Sequence, residues 1–141
     1  MNVKLVNINA QLPKRANPTD AGADLFSPIG TIINPNQNKF IDLGIQIELP
    51  KDSVGFIFAR SGLGSKNGIR PRNCVGVIDE KYRGNLGIMV ENSGSSPFEI
   101  NVGDRIAQLV ICPILTPNFE EVDELDLTDD RLGGFGSTGK N

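Results

Sequence analysis

Five short segments of this chain combine reactive side chains with turn-forming residues: AGADL at 21–25, RSG at 60–62, GVIDEKYRG at 76–84, GDRIAQL at 103–109 and GGFGSTG at 133–139. Arg60 offers a planar guanidinium fork that can grip phosphate oxygens two at a time, which a lysine cannot do. Ser61 and the backbone at Gly62 can present further donors to the same group. Gln108 can donate an amide N–H to an anion, and Ser137, Thr138 and the glycine amides of the last segment extend that inventory. Such a set suits a polyphosphate, although the chain holds no Gly-x-x-x-x-Gly-Lys-Ser/Thr phosphate loop. For proton transfer the best candidate is Asp79. Val77 and Ile78 precede it, and apolar neighbours of this kind partly desolvate a carboxylate and raise its basicity. Tyr82 follows closely enough for both to line one hairpin. Taken singly, each segment is also a common surface turn, and a lone aspartate more often caps a turn than works as a base. The proposal rests on the five together.

Composition narrows the chemistry. The 141 residues include no histidine, so Ser-His and Cys-His nucleophile pairs are excluded within the chain. Any general base must come from Asp, Glu, Lys, Tyr or Cys. Two cysteines without histidine do not make a usual zinc site. Cys74 and Cys112 sit among apolar residues and are expected to be buried, unpaired thiols. Seventeen acidic residues against fourteen basic ones leave no basic patch for nucleic acid. An anionic ligand therefore needs a local pocket of arginines and backbone amides. No apolar run approaches the roughly 20 residues that span a bilayer, and the first residues, MNVKLVNINAQLPKR, carry no signal-peptide segment. A cytoplasmic protein with neither membrane nor nucleic acid as partner is the expectation.

The elements that must position these residues read as strands. Ile41, Leu43, Ile45, Ile47 and Leu49 alternate with other residues, the pattern of a half-buried strand. Val54, Phe56 and Phe58 repeat it, then Leu86, Ile88 and Val90, then Phe98, Ile100 and Val102. Sixteen glycines and nine prolines punctuate these runs at turn-like spacing, as in a β-sandwich or barrel. The best helical candidate is one turn at Leu63–Asn67, closed by Gly68 as a C-cap. No βαβ alternation occurs, which argues against a doubly wound nucleotide fold. The stretch Asn118–Asp130 is acidic and Arg131–Asn141 is polar and glycine-rich, a composition that cannot form a core alone. Phe135 is the exception there, a large ring that needs a surface to stack on.

With all five segments in order, the chain closely resembles the trimeric dUTPase family from about Pro18 to Gly139. GVIDEKYRG and GGFGSTG are the most specific matches. The resemblance implies an all-β subunit, a β-clip or distorted jelly-roll-like barrel, with residues 1–130 as the catalytic domain and 131–141 as a flexible glycine-rich lid. It implies a homotrimer that exchanges this C-terminal tail and builds each active site from three chains. The implied reaction is Mg²⁺-dependent hydrolysis of dUTP to dUMP and pyrophosphate. On this resemblance Asp24 holds water ligands of the Mg²⁺, and Arg60, Ser61, Gly62 and Gln108 contact phosphates. Asn73 and the backbone at Val77 and Ile78 read uracil, while Asp79 activates the attacking water. Tyr82 lies beneath the deoxyribose and leaves no room for a 2′-hydroxyl. Phe135 stacks on uracil, and Gly136, Ser137 and Thr138 contact the terminal phosphates. The sequence departs from the family at Ala59, where proline is usual, and at Ala23, where a larger apolar residue is common. The tail reads Arg131-Leu132-Gly133-Gly134-Phe135 in place of Arg-Gly-x-Gly-Gly-Phe, which shifts the arginine that would meet the γ-phosphate. The main rivals are a dCTP deaminase, which shares the fold, a trimeric regulator without turnover, and a purely structural β-domain. Asp79 with Tyr82, together with the GGFGSTG tail, argues against the first.

Overall fold

Eleven strands and one helical turn follow one another along residues 1–126, the part of the chain that the computed structural model describes. The strands are β1 (Asn2–Leu5), β2 (Ala23–Phe26), β3 (Thr31–Ile33), β4 (Asn38–Asp42), β5 (Ile45–Glu48) and β6 (Ser53–Phe58), then β7 (Ile69–Pro71), β8 (Gly76–Ile78), β9 (Gly87–Asn92), β10 (Phe98–Ile100) and β11 (Arg105–Pro113). Every pairing is antiparallel. Four small sheets result, ordered β1-β5, β10-β3, β2-β11-β6-β8 and β4-β9-β7. The all-β class expected from the alternating runs is thus the observed one. No helix among the described residues is long and apolar enough to cross a membrane.

One aliphatic core joins the sheets. Leu25, Ile33, Ile41, Leu43, Ile45, Ile47, Ile57, Ile69, Leu86, Ile88, Val90, Ile100, Ile106 and Leu109 are all buried in it. The buried amide of Asn92 is fully used: Nδ2 donates to the carbonyls of Ile33 (2.8 Å) and Ser96 (2.9 Å), and Oδ1 accepts from the Gly94 N–H. It stitches the β9 end to β3, and a satisfied buried amide carries little desolvation cost.

The run from Ile41 to Leu49 is wholly buried on its alternate positions, but it forms two strands rather than one. β4 pairs with β9 and β5 pairs with β1, so the chain must turn between sheets after Asp42. Gly44 makes that corner with φ +66°, and Asp42 Oδ1 accepts its N–H at 2.8 Å. The β6 expectation is also corrected. Gly55 and Ile57 face the core, while Phe56 and Phe58 lie half-buried on the opposite face with ring centroids 5.9 Å apart. Gly55 faces Leu109 closely enough that a larger residue would crowd it. Val102 lies outside β10 and is exposed. The turn at Leu63–Asn67 is present, wound as a π-helical turn, and Gly68 (φ +69°) donates its N–H to the Leu63 carbonyl in the expected C-cap role.

The corner at Gly44 gives the first testable outcome. A Cβ there would meet the side chains of Asn7 and Ala10 and would force an L-residue into the left-handed region, which costs about 1–2 kcal/mol before any clash. Gly44→Ala is expected to lower unfolding free energy by at least that amount in urea titration.

Candidate functional site

The register of β11 assembles the first half of the site. Gln108 lies opposite Asp24 of β2 on one side and opposite Phe58 of β6 on the other, so these three share one face. Arg105 would face the other way in a regular strand, because residues three apart alternate. A register shift between Arg105 and Ala107 inserts Ile106 as an extra residue, and Ile106 and Ala107 are both buried. The bulge thereby returns Arg105 to the face of Asp24 and Gln108. Asp24 is then held from two sides: Arg60 Nε donates to Oδ1 at 2.7 Å and Arg105 Nη1 donates to Oδ2 at 3.2 Å. The carboxylate is largely buried, with 15% of its side chain exposed. Gln108 donates its Nε2 N–H to the Ala59 carbonyl at 2.9 Å, which anchors the chain just before Arg60. Gly22 is needed there, since a Cβ would collide with the Gln108 amide.

These residues line an open cleft of about 430 Å³ together with Ala16, Asp20 and the exposed Ser61 and Gly62. Two guanidiniums and two carboxylates meet in it. Arg60 spends its Nε on Asp24 and donates from Nη1 to the Arg105 carbonyl at 3.5 Å, and it lines the cleft that a phosphate would enter. Among the described residues no three His, Cys, Asp or Glu side chains are placed to hold a metal ion. Asp24 alone is no cage for Mg²⁺. It does fit an ion that arrives on phosphates with its own water shell, which is how Mg²⁺ is commonly bound.

The second half of the site lies elsewhere on the chain. Asn73 lines a different cleft, of about 420 Å³, with Ile57, Arg72, Gly76 and Met89. Asn73 and Cys74 form the tight connection from β7 to β8, where Cys74 takes φ +64° and donates its N–H to the Pro71 carbonyl at 3.0 Å. Cys74 is therefore exposed rather than buried, because a turn apex has no core beneath it; Cys112 is half-buried, and both are free thiols. In β8, Ile78 packs on the core, whereas Val77 is 61% exposed. Asp79 is exposed as well, so within one chain its two apolar neighbours do not shelter it as the sequence suggests. Tyr82 closes a turn by donating its N–H to the Asp79 carbonyl at 3.0 Å. Its hydroxyl donates to the Asn85 carbonyl at 2.9 Å, and its ring lies over Gly84, where any Cβ would strike it. One ring face is left as a platform.

Asp79 and Arg60 do not meet in a single chain. Ile78 pairs with Gly55, so Asp79 lies level with Val54, while Arg60 follows the far end of β6. Six residues of strand separate those levels, about 20 Å. Arg105 and Asp20 also line the cleft, and the sequence reading passed over them. GDRIAQL drew attention to Gln108, and only the bulge shows that Arg105 faces the same cleft. Arg131, Phe135, Gly136, Ser137 and Thr138 lie outside the described residues.

Comparison with known proteins decides the family. The dUTPase family profile matches residues 8–139. The chain belongs to the dUTPase family. The deoxyuridine 5′-triphosphate nucleotidohydrolase of Clostridium tetani is 46% identical over 140 residues, covering 99% of this chain and 97% of the relative. That of Mus musculus is 45% identical over 133 residues, covering 94% and 81%. Among solved structures, a mutant dUTPase of Staphylococcus bacteriophage 80alpha with dUpNHpp superposes with a TM-score of 0.91 at 32% identity, covering 99% of this chain and 98% of that one. The dUTPase of phage phi11 of S. aureus, described with a structural Mg(II) ion, gives a TM-score of 0.81 at 32% identity, covering 87% and 96%.

For this dUTPase-family chain the charge pattern of the cleft makes a prediction of its own. Asp24→Asn removes one negative charge from between two guanidiniums and frees both for anions. Metal-free inorganic triphosphate should bind the variant several-fold more tightly than the parent in calorimetry with chelator present, and added salt should erase the difference.

Proposed function

We propose that this protein hydrolyses dUTP to dUMP and pyrophosphate at sites that two or more copies of the chain build together. The observation that carries the shared site is the separation of Asp79 from the Asp24–Arg60–Arg105 cleft within one chain. The names of the relatives and the dUpNHpp held by the phage dUTPase support the substrate. The outer face of the β2-β11-β6-β8 sheet supports association, because Val110, Phe56 and Val77 line up across it and Val77 is bare. So does the segment after β11, where Leu115 and Phe119 are 94% and 99% exposed. A homotrimer satisfies both features, and the tail beyond residue 130 completes the site as a lid.

In this reading Arg60, Ser61, Gly62 and Gln108 orient the phosphates, and Asp79 takes the proton of the attacking water. Water attacks the α-phosphorus, the bond to the bridging oxygen breaks, and pyrophosphate leaves. Phosphoryl transfer asks mainly for positioning and charge neutralisation. Mg²⁺, oriented through waters by Asp24, supplies part of that neutralisation when bound. Asn73 and the backbone at Val77 and Ile78 read uracil, and the Tyr82 ring lies beneath the deoxyribose. Phe135 closes on the base, where stacking contributes roughly 1–3 kcal/mol. Arg131, Gly136, Ser137 and Thr138 meet the outer phosphates.

Pyrophosphate release measured with dUTP, dCTP, UTP and dTTP, with and without Mg²⁺, tests the reaction. Turnover should be confined to dUTP with the metal, and comparable kcat/KM for UTP would overturn the role of Tyr82. Asp79→Asn should lower kcat by about 10²- to 10⁴-fold while nucleotide binding persists.

Subunit exchange tests the shared site. Chains carrying Asp79→Asn and chains truncated before Arg131 should each be inactive alone and recover activity when mixed. Full activity in a monomer would remove the shared site.

A further inference from the structure

No hydrogen bond or ion pair fixes the Asp79 carboxylate among the described residues. Its place is therefore set by its backbone, the turn from Asp79 to Tyr82 that follows β8. β8 is only three residues long and pairs with β6 alone. Side chains tether the turn as well, and Arg83 Nη2 lies 4.0 Å from Glu48 Oε1 of β5. Glu80 reaches across the end of the sheet, and its Oε2 accepts the backbone N–H of Asp52 at 2.7 Å. Asp52 lies just before β6, with φ +56°, a conformation a non-glycine residue keeps only when its surroundings hold it. The peptide groups of Asp52 are used on both sides, since its carbonyl accepts the Ile114 N–H at 3.0 Å. Arg83 braces the same turn by donating from Nη1 to the Glu80 carbonyl at 2.6 Å.

We propose that Glu80 is a positioning residue for the reaction: its charge-assisted bond to the Asp52 N–H pins the Asp79 turn to the β5–β6 corner and fixes where the Asp79 carboxylate stands. The inference rests on Asp79 being the base. In this role Glu80 acts through the backbone of the Asp79 turn. Its effect is geometric, and misplacing a reacting group by about 1 Å can cost up to about 100-fold in rate. A carboxylate bound to one N–H of a held peptide ties the turn to the start of β6, and loss of the acceptor removes that tie.

The test uses the full-length protein with Glu80→Ala, Glu80→Gln and Asp79→Asn side by side. Steady-state kinetics on dUTP, the Kd of dUpNHpp and the thermal midpoint are read for each. Glu80→Ala should lower kcat by about 10- to 100-fold, with KM and the analogue Kd within about twofold of the parent. Glu80→Gln keeps an acceptor oxygen in place and should regain most of that loss, which a role through charge alone would not allow. Parental kcat in Glu80→Ala beside a dead Asp79→Asn would overturn the positioning role and leave the base standing. A Glu80→Ala loss matched by equal losses in analogue binding and thermal midpoint would also overturn it, in favour of general destabilisation. Parental turnover in Asp79→Asn would overturn both readings together.

Discussion

β11 hydrogen-bonds to β2 on one side and to β6 on the other, and the single extra residue it carries at Ile106 decides what the cleft contains. Without that bulge Arg105 would point away from Asp24, and the carboxylate would have Arg60 as its partner from β6 alone. With it, a half-buried acid meets two guanidiniums, and the segment leading into Arg60 is fastened through Gln108 to the same strand. A group buried to this degree needs such partners, since an uncompensated charge inside a protein is costly. The bulge therefore brings Asp24 and both arginines to one cleft.

The half of the site made by the β7–β8 connection and the turn after β8 follows a different logic. There the side chains are exposed, and the backbone carries the design. Cys74 and Asp52 both hold positive φ, and Tyr82 settles its own hydroxyl on the Asn85 carbonyl. Asn73, Cys74, Val77 and Asp79 are open to solvent in the single chain. Val77 continues this surface onto the outward face of the four-stranded sheet, in line with the half-buried Phe56.

Much of this was legible in the sequence, for reasons that differ by element. The alternation of Ile41 to Leu49 reported burial correctly, because burial depends on the two-residue period of extended chain. It did not report the corner at Gly44, because alternation continues across a bend whenever both strands feed one core. In β6 the large rings of Phe56 and Phe58 outweighed the small core-facing residue Gly55, so the inner and outer faces were exchanged. Cys74 read as buried from its apolar neighbours, yet a turn apex is exposed whatever flanks it. Asp79 failed as a desolvated group for the same reason. Arg105 stayed hidden because a bulge changes the face of a residue without changing its spacing. Segments such as RSG and GDRIAQL pointed to one cleft only when all five were taken together, whereas the tether from Glu80 to Asp52 joins positions 28 residues apart with no motif to announce it.

One of the two inner strands of the four-stranded sheet, β11, is also the last of the described strands to be made. Asp24 and Arg105 are 81 residues apart, which at translation rates of about 5–20 residues per second means about 4–16 s between their syntheses. Through that interval β2 has no β11 to pair with, nor has β6 from the time it is made, and their edges carry unpaired N–H and C=O groups of the kind that invite association with other chains. The sheet closes only when its middle arrives, so the nascent protein passes through an open-edged stage whose length is set by chain order rather than by the speed of strand pairing.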